Sequence, residues 1–257
     1  MDLDVPLNNI NKTERNQTMR TLKNVVAVDW RSGKDRYYFF FKDTETYTRI
    51  DAEYRNLPDG YPASVNSGNW DSFHSDVKNL RFGFSTTNIY RFDGQEAFDR
   101  DYLLLFYYKG ETPMCCWYDQ DDDKVTRRRP VADTHYRPIL PYFDRIVAAT
   151  WWESFGVNWI GKKSPVRFLM NDGHTFMFDM YEKNVRLEPI DERTWPGLAP
   201  YKDRILTGVQ NDRTLAESLF HIFLTDNEFM TYTIPNGELV HGPEKVDENS
   251  WPGLLRD

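Results

Sequence analysis

The sequence predicts an all-β fold, a four-bladed β-propeller, because it contains four copies of one segment and is rich in aromatic residues. The segment TWPGLAPYKDRILTG (194–208) recurs as HYRPILPYFDRIVAA (135–149), as NWDSFHSDVKNLRFG (69–83) and, shortened, as SWPGLLRD (250–257). Successive copies lie about 66, 59 and 56 residues apart. Repeats of this length are typical of propellers and other repeat folds. Aromatic residues make up 16% of the chain, which suits many short strands.

Each copy is centred on one aromatic residue, which we call its anchor. An aliphatic residue precedes every anchor by five positions, and in the first three copies another follows by ten. Because the anchors recur with the repeat, we predict that they pack between blades. The anchors are Trp70, Tyr136, Trp195 and Trp251.

Four repeats in 257 residues favour one closed unit. Residues 1–20 are polar and aperiodic, so we predict a flexible N-terminal arm there. The propeller then occupies residues 21–257, with blades at about 21–76, 77–144, 145–204 and 205–257.

Apolar and alternating runs separated by turn residues predict four strands in every blade. In chain order they are 25–30, 36–41, 46–50 and 61–65; 80–84, 102–108, 113–118 and 124–128; 146–152, 166–170, 175–180 and 185–190; 205–209, 218–224, 229–234 and 238–242. An insertion at 88–100 lengthens one loop of the second blade. The fourth copy stops at Asp257, where the others continue into a strand. Residues 22–30 are therefore predicted to lie beside the last anchor and close the ring.

Composition narrows the function classes. The net charge of -8 argues against nucleic acid as a partner. Cys115 and Cys116 are neighbours whose side chains point to opposite faces of a strand, so no ordinary disulfide is expected. No apolar run has the length of a signal-peptide core near the N-terminus or of a membrane span. We therefore predict a cytoplasmic protein that binds no membrane.

The repeat resembles the hemopexin-like repeat, a four-bladed propeller, in WPGL, the following DRI, and NGELVHGPEKVDENSWPGL (236–254). The resemblance covers about 25–257 and is nearest to single-domain intracellular members such as the plant albumin-2 proteins. It implies an axial channel lined by the first strand of each blade. The family includes haem carriers, protease docking domains, polyamine- and haem-binding seed albumins and a few fungal biosynthetic enzymes, so fold alone does not select a function.

The inner strand of that family often reads Ile-Asp-Ala-Ala, and its backbone carbonyls hold cations in the channel. Here the Asp positions hold Val26, Arg81, Val147 and Leu206. A cation beside Arg81 would be repelled. The resemblance thus gives little support to a channel cation such as calcium, and we predict no metal-binding residues and no required cofactor.

No nucleophile or metal-protease motif is present in the sequence. Arg81 is unusual because it lies inside an apolar strand predicted to face the axis, where an unpaired charge is costly. Two interpretations remain open: a salt bridge to a carboxylate such as Asp29, or a donor to a carbonyl oxygen of a ligand. In the second case Arg81 is the catalytic residue.

The ends of the inner strands supply the predicted substrate-binding residues, at the mouth of the channel. Alternation sends the side chains of Trp151 and Trp152 to opposite faces, so at most one of them is expected to contact ligand. The predicted binding residues are Asp29, Trp30, Phe84, Thr150, Trp151, Trp152 and Gln210.

These residues favour an enzyme that works by positioning, since orienting two reactants and polarising one carbonyl needs no nucleophile. By resemblance to fungal members, we predict a hetero-Diels-Alder cycloaddition on a hydrophobic, conjugated terpenoid or aromatic substrate in the central funnel. The first alternative is a noncatalytic binder of haem, polyamine or sugar, although Arg81 opposes polyamine and no histidine lies on a predicted inner strand. The second is a protein-docking module. The sequence leaves open whether the protein forms a homodimer.

Overall fold

The computed structural model describes residues 21–33, 35–53, 55–86, 101–152, 165–179, 182–211 and 218–255. The predicted arm (1–20) and insertion (88–100) lie outside these ranges. The described residues form four separate antiparallel sheets of four strands each, and the inner strands of the sheets contact one another in a ring. The predicted four-bladed β-propeller is confirmed.

Each blade uses four consecutive strands, and every strand predicted from the sequence is present with ends that differ by a few residues. Blade one has β1 (Val25–Trp30), β2 (Arg36–Phe41), β3 (Thr46–Asp51) and β4 (Ala63–Ser64); blade two has β5 (Leu80–Thr86), β6 (Tyr102–Lys109), β7 (Thr112–Asp119) and β8 (Lys124–Pro130). Blade three has β9 (Ile146–Trp151), β10 (Pro165–Met170), β11 (His174–Asp179) and β12 (Asn184–Pro189); blade four has β13 (Ile205–Asn211), β14 (Ser218–Leu224), β15 (Glu228–Ile234) and β16 (Leu239–Lys245).

Short helical turns connect the blades. They are α1 (Ser67–Trp70) and the 3-10 helices Asp71–Asn79, Val131–Asp133, Arg137–Tyr142 and Ala199–Arg204. In three of the four copies an Asx residue lies four positions before the anchor, and its backbone carbonyl accepts the anchor's N–H at 2.8 or 2.9 Å. Its side chain also accepts an N–H two residues further on. This turn fixes the anchor's direction, which explains why it recurs. The three residues are Asn66, Asp191 and Asp247.

The anchors wedge between neighbouring blades, as predicted. Trp70 contacts Tyr38 of blade one, with ring centroids 5.1 Å apart, and Tyr118 of blade two, with ring centroids 5.3 Å apart. The other three anchors occupy the equivalent clusters of buried side chains at the other three blade interfaces. Each blade therefore buries both faces only because its neighbours are present.

The ring closes between blades four and one, where both ends of the described chain meet. Trp251 contacts Tyr37 of blade one, with ring centroids 5.3 Å apart. The backbone N–H of Ala27 donates to Thr207 Oγ1 at 2.9 Å, and the N–H of Leu22 donates to Asn227 Oδ1 at 2.7 Å. The prediction that residues 22–30 lie beside the last anchor is confirmed.

The blades approach closely at the axis. A Cβ added to Gly83 of blade two would lie 2.9 Å from Cγ1 of Val28 of blade one, and one added to Gly208 of blade four would lie 3.2 Å from Cβ of Ala148 of blade three. Real Cβ atoms avoid such distances, so both positions require glycine for close approach rather than for an unusual φ.

Two smaller findings concern predictions from composition. Cys115 and Cys116 are both buried free thiols. Burial raises the pKa of Cys116 to about 12. No helix in the described part of the chain has the length and apolar character needed to cross a lipid bilayer.

Candidate functional site

The predicted site residues do not come together, because they lie at two ends of the inner strands. The inner strands run parallel. Ser85 bonds Asp29 near the carboxyl ends of β5 and β1. Ala27 bonds Thr207 near the amino ends of β1 and β13. Arg81 is four residues before Ser85, which places its backbone about 13 Å away along the strand. The structure therefore separates the predicted catalytic residue from the predicted binding residues.

Arg81 does not pair with Asp29, so that interpretation is wrong. Arg81 occupies a β-bulge at the second position of β5, and its guanidinium donates to the backbone carbonyl of Asp144 at 2.7 Å. Asp29 instead bonds Arg31 at 3.1 Å, and both side chains are almost fully buried. The bulge explains the difference, because it turns the second side chain of the strand to a half-buried position next to blade three.

The amino end of the channel is positively charged. Lys42 lies close to Arg81 there, and burial together with the charge of Arg81 lowers the pKa of its ammonium group. Val147 and Leu206 occupy the second position of their strands and supply no carboxylate. Two cations and aliphatic side chains at this level oppose the calcium ion that the resemblance allowed.

The carboxyl end holds a buried polar network that includes three predicted residues. Asp29 Oδ1 accepts the N–H of Ser85 at 2.9 Å, and Gln120 Nε2 donates to Ser85 Oγ at 2.7 Å. Thr150 donates to Gln210 Oε1 at 2.6 Å, whereas Gln210 Nε2 has no hydrogen-bond partner among the described residues. This network ties blades one to two and three to four by side-chain bonds.

The cavity beside this network is small. Its volume is about 0 Å³, too little for even a water molecule, and Asp29, Trp30, Arg31 and Gln210 are among its lining residues. Ligand pockets for drug-sized molecules are usually about 300–1,000 Å³. A conjugated terpenoid would not fit in this cavity.

The four predicted aromatic residues lie in the packing between blades. Phe84 and Trp151 belong to the cluster between blades two and three, and Trp152 belongs to the one between blades three and four. Trp151 and Trp152 do point to opposite faces, as alternation predicted. Trp30 lies between blades one and two and borders both the small cavity and a larger one.

The larger cavity is a groove of about 220 Å³ between blades one and two, open to solvent, which we call the aromatic groove. This volume is below the usual range for drug-sized ligands, so the groove suits a smaller molecule. Its walls combine five aromatic rings with two arginines. The lining residues are Trp30, Arg36, Tyr38, Tyr47, Arg49, Tyr61, Gly68, Asn69, Trp70 and Asp123.

The strand register explains why these side chains share one face. Arg36 and Tyr38 are two residues apart on β2, and Tyr47 and Arg49 are two apart on β3. Tyr38 pairs directly with Arg49 across the hairpin. Side chains two apart on a strand point the same way, so all four face blade two. The rings of Tyr38 and Tyr47 are stacked with centroids 5.9 Å apart.

The electrostatics of the groove are dominated by the two guanidiniums. Burial raises the pKa of Tyr38, and the positive charges of Arg36 and Arg49 oppose that rise. Burial and a hydrogen bond with Tyr61 raise the pKa of Tyr47. The phenols are therefore neutral at pH 7 and act as hydrogen-bond donors, while the arginines carry the charge.

Sequence reasoning missed Arg36, Arg49 and the tyrosines because it looked for a site on the axis. The signal that could have found them is the alternation RYY in β2 against TYTR in β3, which puts two cations and two phenols on one face of a hairpin. Of the predicted residues, only Trp30 borders the groove.

Comparison with known proteins adds little. No protein-family model matches the chain, and no curated protein matches it. Among solved structures, the chain is similar to one in the crystal structure of BBS1N in complex with ARL6DN, soaked with lead, at 8% identity and a TM-score of 0.30, over 84% of this chain and 51% of that one. It is also similar to the computationally designed Ika8 protein, at 7% identity and a TM-score of 0.26, over 87% and 86%. The chain thus spans about half the length of the first. Likenesses of this size carry no argument about ligand or activity.

Proposed function

We propose that this protein is a small-molecule-binding propeller of the hemopexin-like kind, and that its ligand site is the aromatic groove between blades one and two. The single observation behind the proposal is the groove itself, which has a volume of about 220 Å³ and walls of aromatic rings. Aromatic walls with a few convergent polar groups are typical of sites for flat organic molecules. The family likeness is supported by four blades and by anchors that recur in WPGL.

The finer form of the proposal is catalysis of a hetero-Diels-Alder cycloaddition on a conjugated terpenoid or aromatic substrate. In that reaction three π bonds become two σ bonds and one π bond, every atom is kept, and no proton or electron is exchanged with a co-reactant. The groove would hold the two partners face to face between Trp30 and Tyr61. Donation from Arg36 or Arg49 to a carbonyl oxygen would stabilise the charge that develops there.

A calorimetric titration of the purified protein with 2-naphthylmethanol, a flat neutral probe, tests the binding part. We expect saturable binding that Tyr61→Ala weakens about tenfold, because Tyr61 is a half-buried wall of the groove. Tyr142→Ala is the matched control, since Tyr142 is a half-buried tyrosine on blade three's side of the ring, outside the groove. Gln210→Ala separates groove from axis: if only Gln210→Ala weakens binding, the ligand lies at the axial cavity and the proposal fails.

Turnover of a diene and quinone-methide pair tests the catalytic part. We expect product formation above the uncatalysed rate, with a loss in Arg36→Gln and in Tyr61→Ala. A loss in Arg81→Ala with both groove variants intact would move the reaction to the amino end of the channel. Binding of the probe without any turnover would favour the alternative, a noncatalytic binder of haem, polyamine or sugar. A Soret band after haem addition would then select haem.

A further inference from the structure

The aromatic groove is positively charged although the protein is not. The chain has a net charge of -8, yet two guanidiniums line this one cavity. Among the described residues, no ion pair joins Arg36 or Arg49 to a carboxylate. Most other arginines with interactions in the structure are neutralised, as Arg204 is by Glu228 at 2.6 Å and Arg145 by Asp172 at 2.6 Å. Arg36 and Arg49 are half-buried, line one cavity together, and have no carboxylate in an ion pair among the described residues.

The groove has one carboxylate among its lining residues. Asp123 borders the groove on the blade-two side, and its Oδ1 accepts a hydrogen bond from Tyr118 at 2.7 Å, which orients the carboxylate without neutralising it. Asp51 pairs with Arg36 in the strand register, but no ion pair joins the two side chains. The two guanidiniums outnumber the one carboxylate, so the lining residues of the groove carry a net positive charge.

One of the two arginines is held in place by a ring. The guanidinium of Arg49 lies over the ring of Tyr61, with its Cζ 5.4 Å from the ring centroid. Arg36 and Arg49 lie close enough to the Tyr38 phenol to affect its pKa from either side of the hairpin. A guanidinium fixed by stacking loses less conformational entropy when it binds a planar anion, and its donors match the two oxygens of a carboxylate.

We propose that the aromatic groove selects flat conjugated molecules that carry a carboxylate, with the ring system against Trp30, Tyr47 and Tyr61 and the carboxylate held by Arg36 and Arg49. This inference rests on the proposed function and adds the charge of the ligand to it. It follows from the combination of aromatic walls, which any flat molecule would satisfy, with two guanidiniums that only an anion would satisfy.

The test compares two probes that differ in charge, 2-naphthoate and neutral 2-naphthylmethanol, by calorimetric titration of the full-length protein. We expect 2-naphthoate to bind at least tenfold more tightly, with an affinity that falls as salt rises. Arg36→Gln and Arg49→Gln should each reduce the affinity for 2-naphthoate about tenfold and reduce that for 2-naphthylmethanol much less, so that the preference for the carboxylate is lost. Arg49→Lys should give a smaller reduction, since it keeps the charge and loses the planar fork.

Arg137→Gln is the matched control, because Arg137 is an exposed arginine of the connector after blade two. It should change neither affinity. Thermal unfolding of each variant checks that the fold is kept. Equal binding of both probes would overturn the carboxylate inference and leave the groove as a ligand site. Absence of binding by both probes would overturn the inference and the proposed function together.

Discussion

The interfaces between blades one and two and between blades three and four are built on the same plan, yet one is open and the other is closed. The hairpins β2–β3 and β10–β11 have equal lengths and the same end-to-end register. Arg36, Tyr38, Tyr47 and Arg49 of the first therefore match Pro165, Arg167, Thr175 and Met177 of the second. The two hairpins differ in the residues at these positions and in what covers them.

In the closed interface a guanidinium takes the place of a ligand. Arg167 lies between Trp195 and Trp152, with its Cζ 4.0 and 4.5 Å from their ring centroids. It also donates to the backbone carbonyl of Thr194. Burial lowers the pKa of Arg167 to about 10, which leaves it charged at pH 7. The cation is thus held by two indole faces.

A turn then covers that guanidinium. A Cβ on Gly237, in the turn between β15 and β16, would lie 3.2 Å from a terminal nitrogen of Arg167. The matching turn of blade two carries Asp123, which borders the aromatic groove without filling it. We call Arg167 the plug of the closed interface. At the open interface the matching position holds Tyr38, and the aromatic groove is present there. Four tests follow from this difference.

The largest expected effect is from removing the anchors. Trp195→Ala should lower the free energy of unfolding by about 4 kcal/mol, because it leaves a large void at a closed interface. Trp70→Ala should cost about 3 kcal/mol, since part of its surroundings is already open to solvent. Urea denaturation measures both. Equal costs, or a greater cost at Trp70, would mean that the groove is closed in solution.

The second test removes the plug. Arg167→Ala should lower the free energy of unfolding by about 3 kcal/mol, through lost packing and an unsatisfied carbonyl at Thr194. Arg167→Met should cost only about 1 kcal/mol, because a side chain of similar volume replaces a buried charge. Urea denaturation again gives the numbers. A neutral Arg167→Ala would show that the guanidinium contributes nothing to the interface.

The third test replaces Arg49 of blade one with methionine, which is the residue at the matching position of blade three, Met177. Arg49→Met should change the free energy of unfolding by no more than about 0.5 kcal/mol, since Arg49 is half-buried and has no ion pair among the described residues. It should nevertheless weaken binding of 2-naphthoate. A destabilisation above about 2 kcal/mol would mean that Arg49 holds the blades together and is not reserved for a ligand.

The smallest expected effect is on the pH dependence of stability in acid. Backbone hydrogen bonds from Thr194 and Arg193 hold the pKa of Asp191 below its usual value of 3.8, while the equivalent residue at the open interface is the uncharged Asn66. Because the folded pKa is the lower one, the stabilisation is complete at neutral pH and is lost as the pH falls through that pKa. Asp191→Asn should therefore flatten the fall in stability below about pH 4. Thermal unfolding between pH 7 and about pH 2 measures this slope; an unchanged slope would contradict the assignment.

The fold could be predicted because its signal is repeated. The same pattern of strands and anchor recurs in four blades. A strand that is poorly predicted in one blade can therefore be identified from its position in the others. The site has no such redundancy. Arg81 looked axial by strand alternation, but a bulge at that position turns it toward Asp144. The groove depends on the turn between β7 and β8, where Asp123 borders the cavity without filling it. The distance between that turn and blade one cannot be predicted from a local sequence pattern.

The sequence predicts the position of residues in the polar network along their strands, but it does not predict their hydrogen-bond partners. Asp29 and Gln210 were correctly seen to lie at strand ends, but their hydrogen bonds run to Ser85 and Thr150 of neighbouring blades, which alternation alone does not reveal. Trp30 was predicted to bind substrate at the mouth of the channel, and it borders the lateral groove between blades one and two.

Each sheet takes its four strands from one uninterrupted stretch, and no strand is lent to another blade. The ends of the described chain therefore meet at an ordinary blade interface, where Leu22 and Leu254 share a cluster with Trp251. The three connectors between blades are equivalent in connectivity to this junction. A gene rearranged to begin at any one of them would encode the same ring without rewiring any sheet.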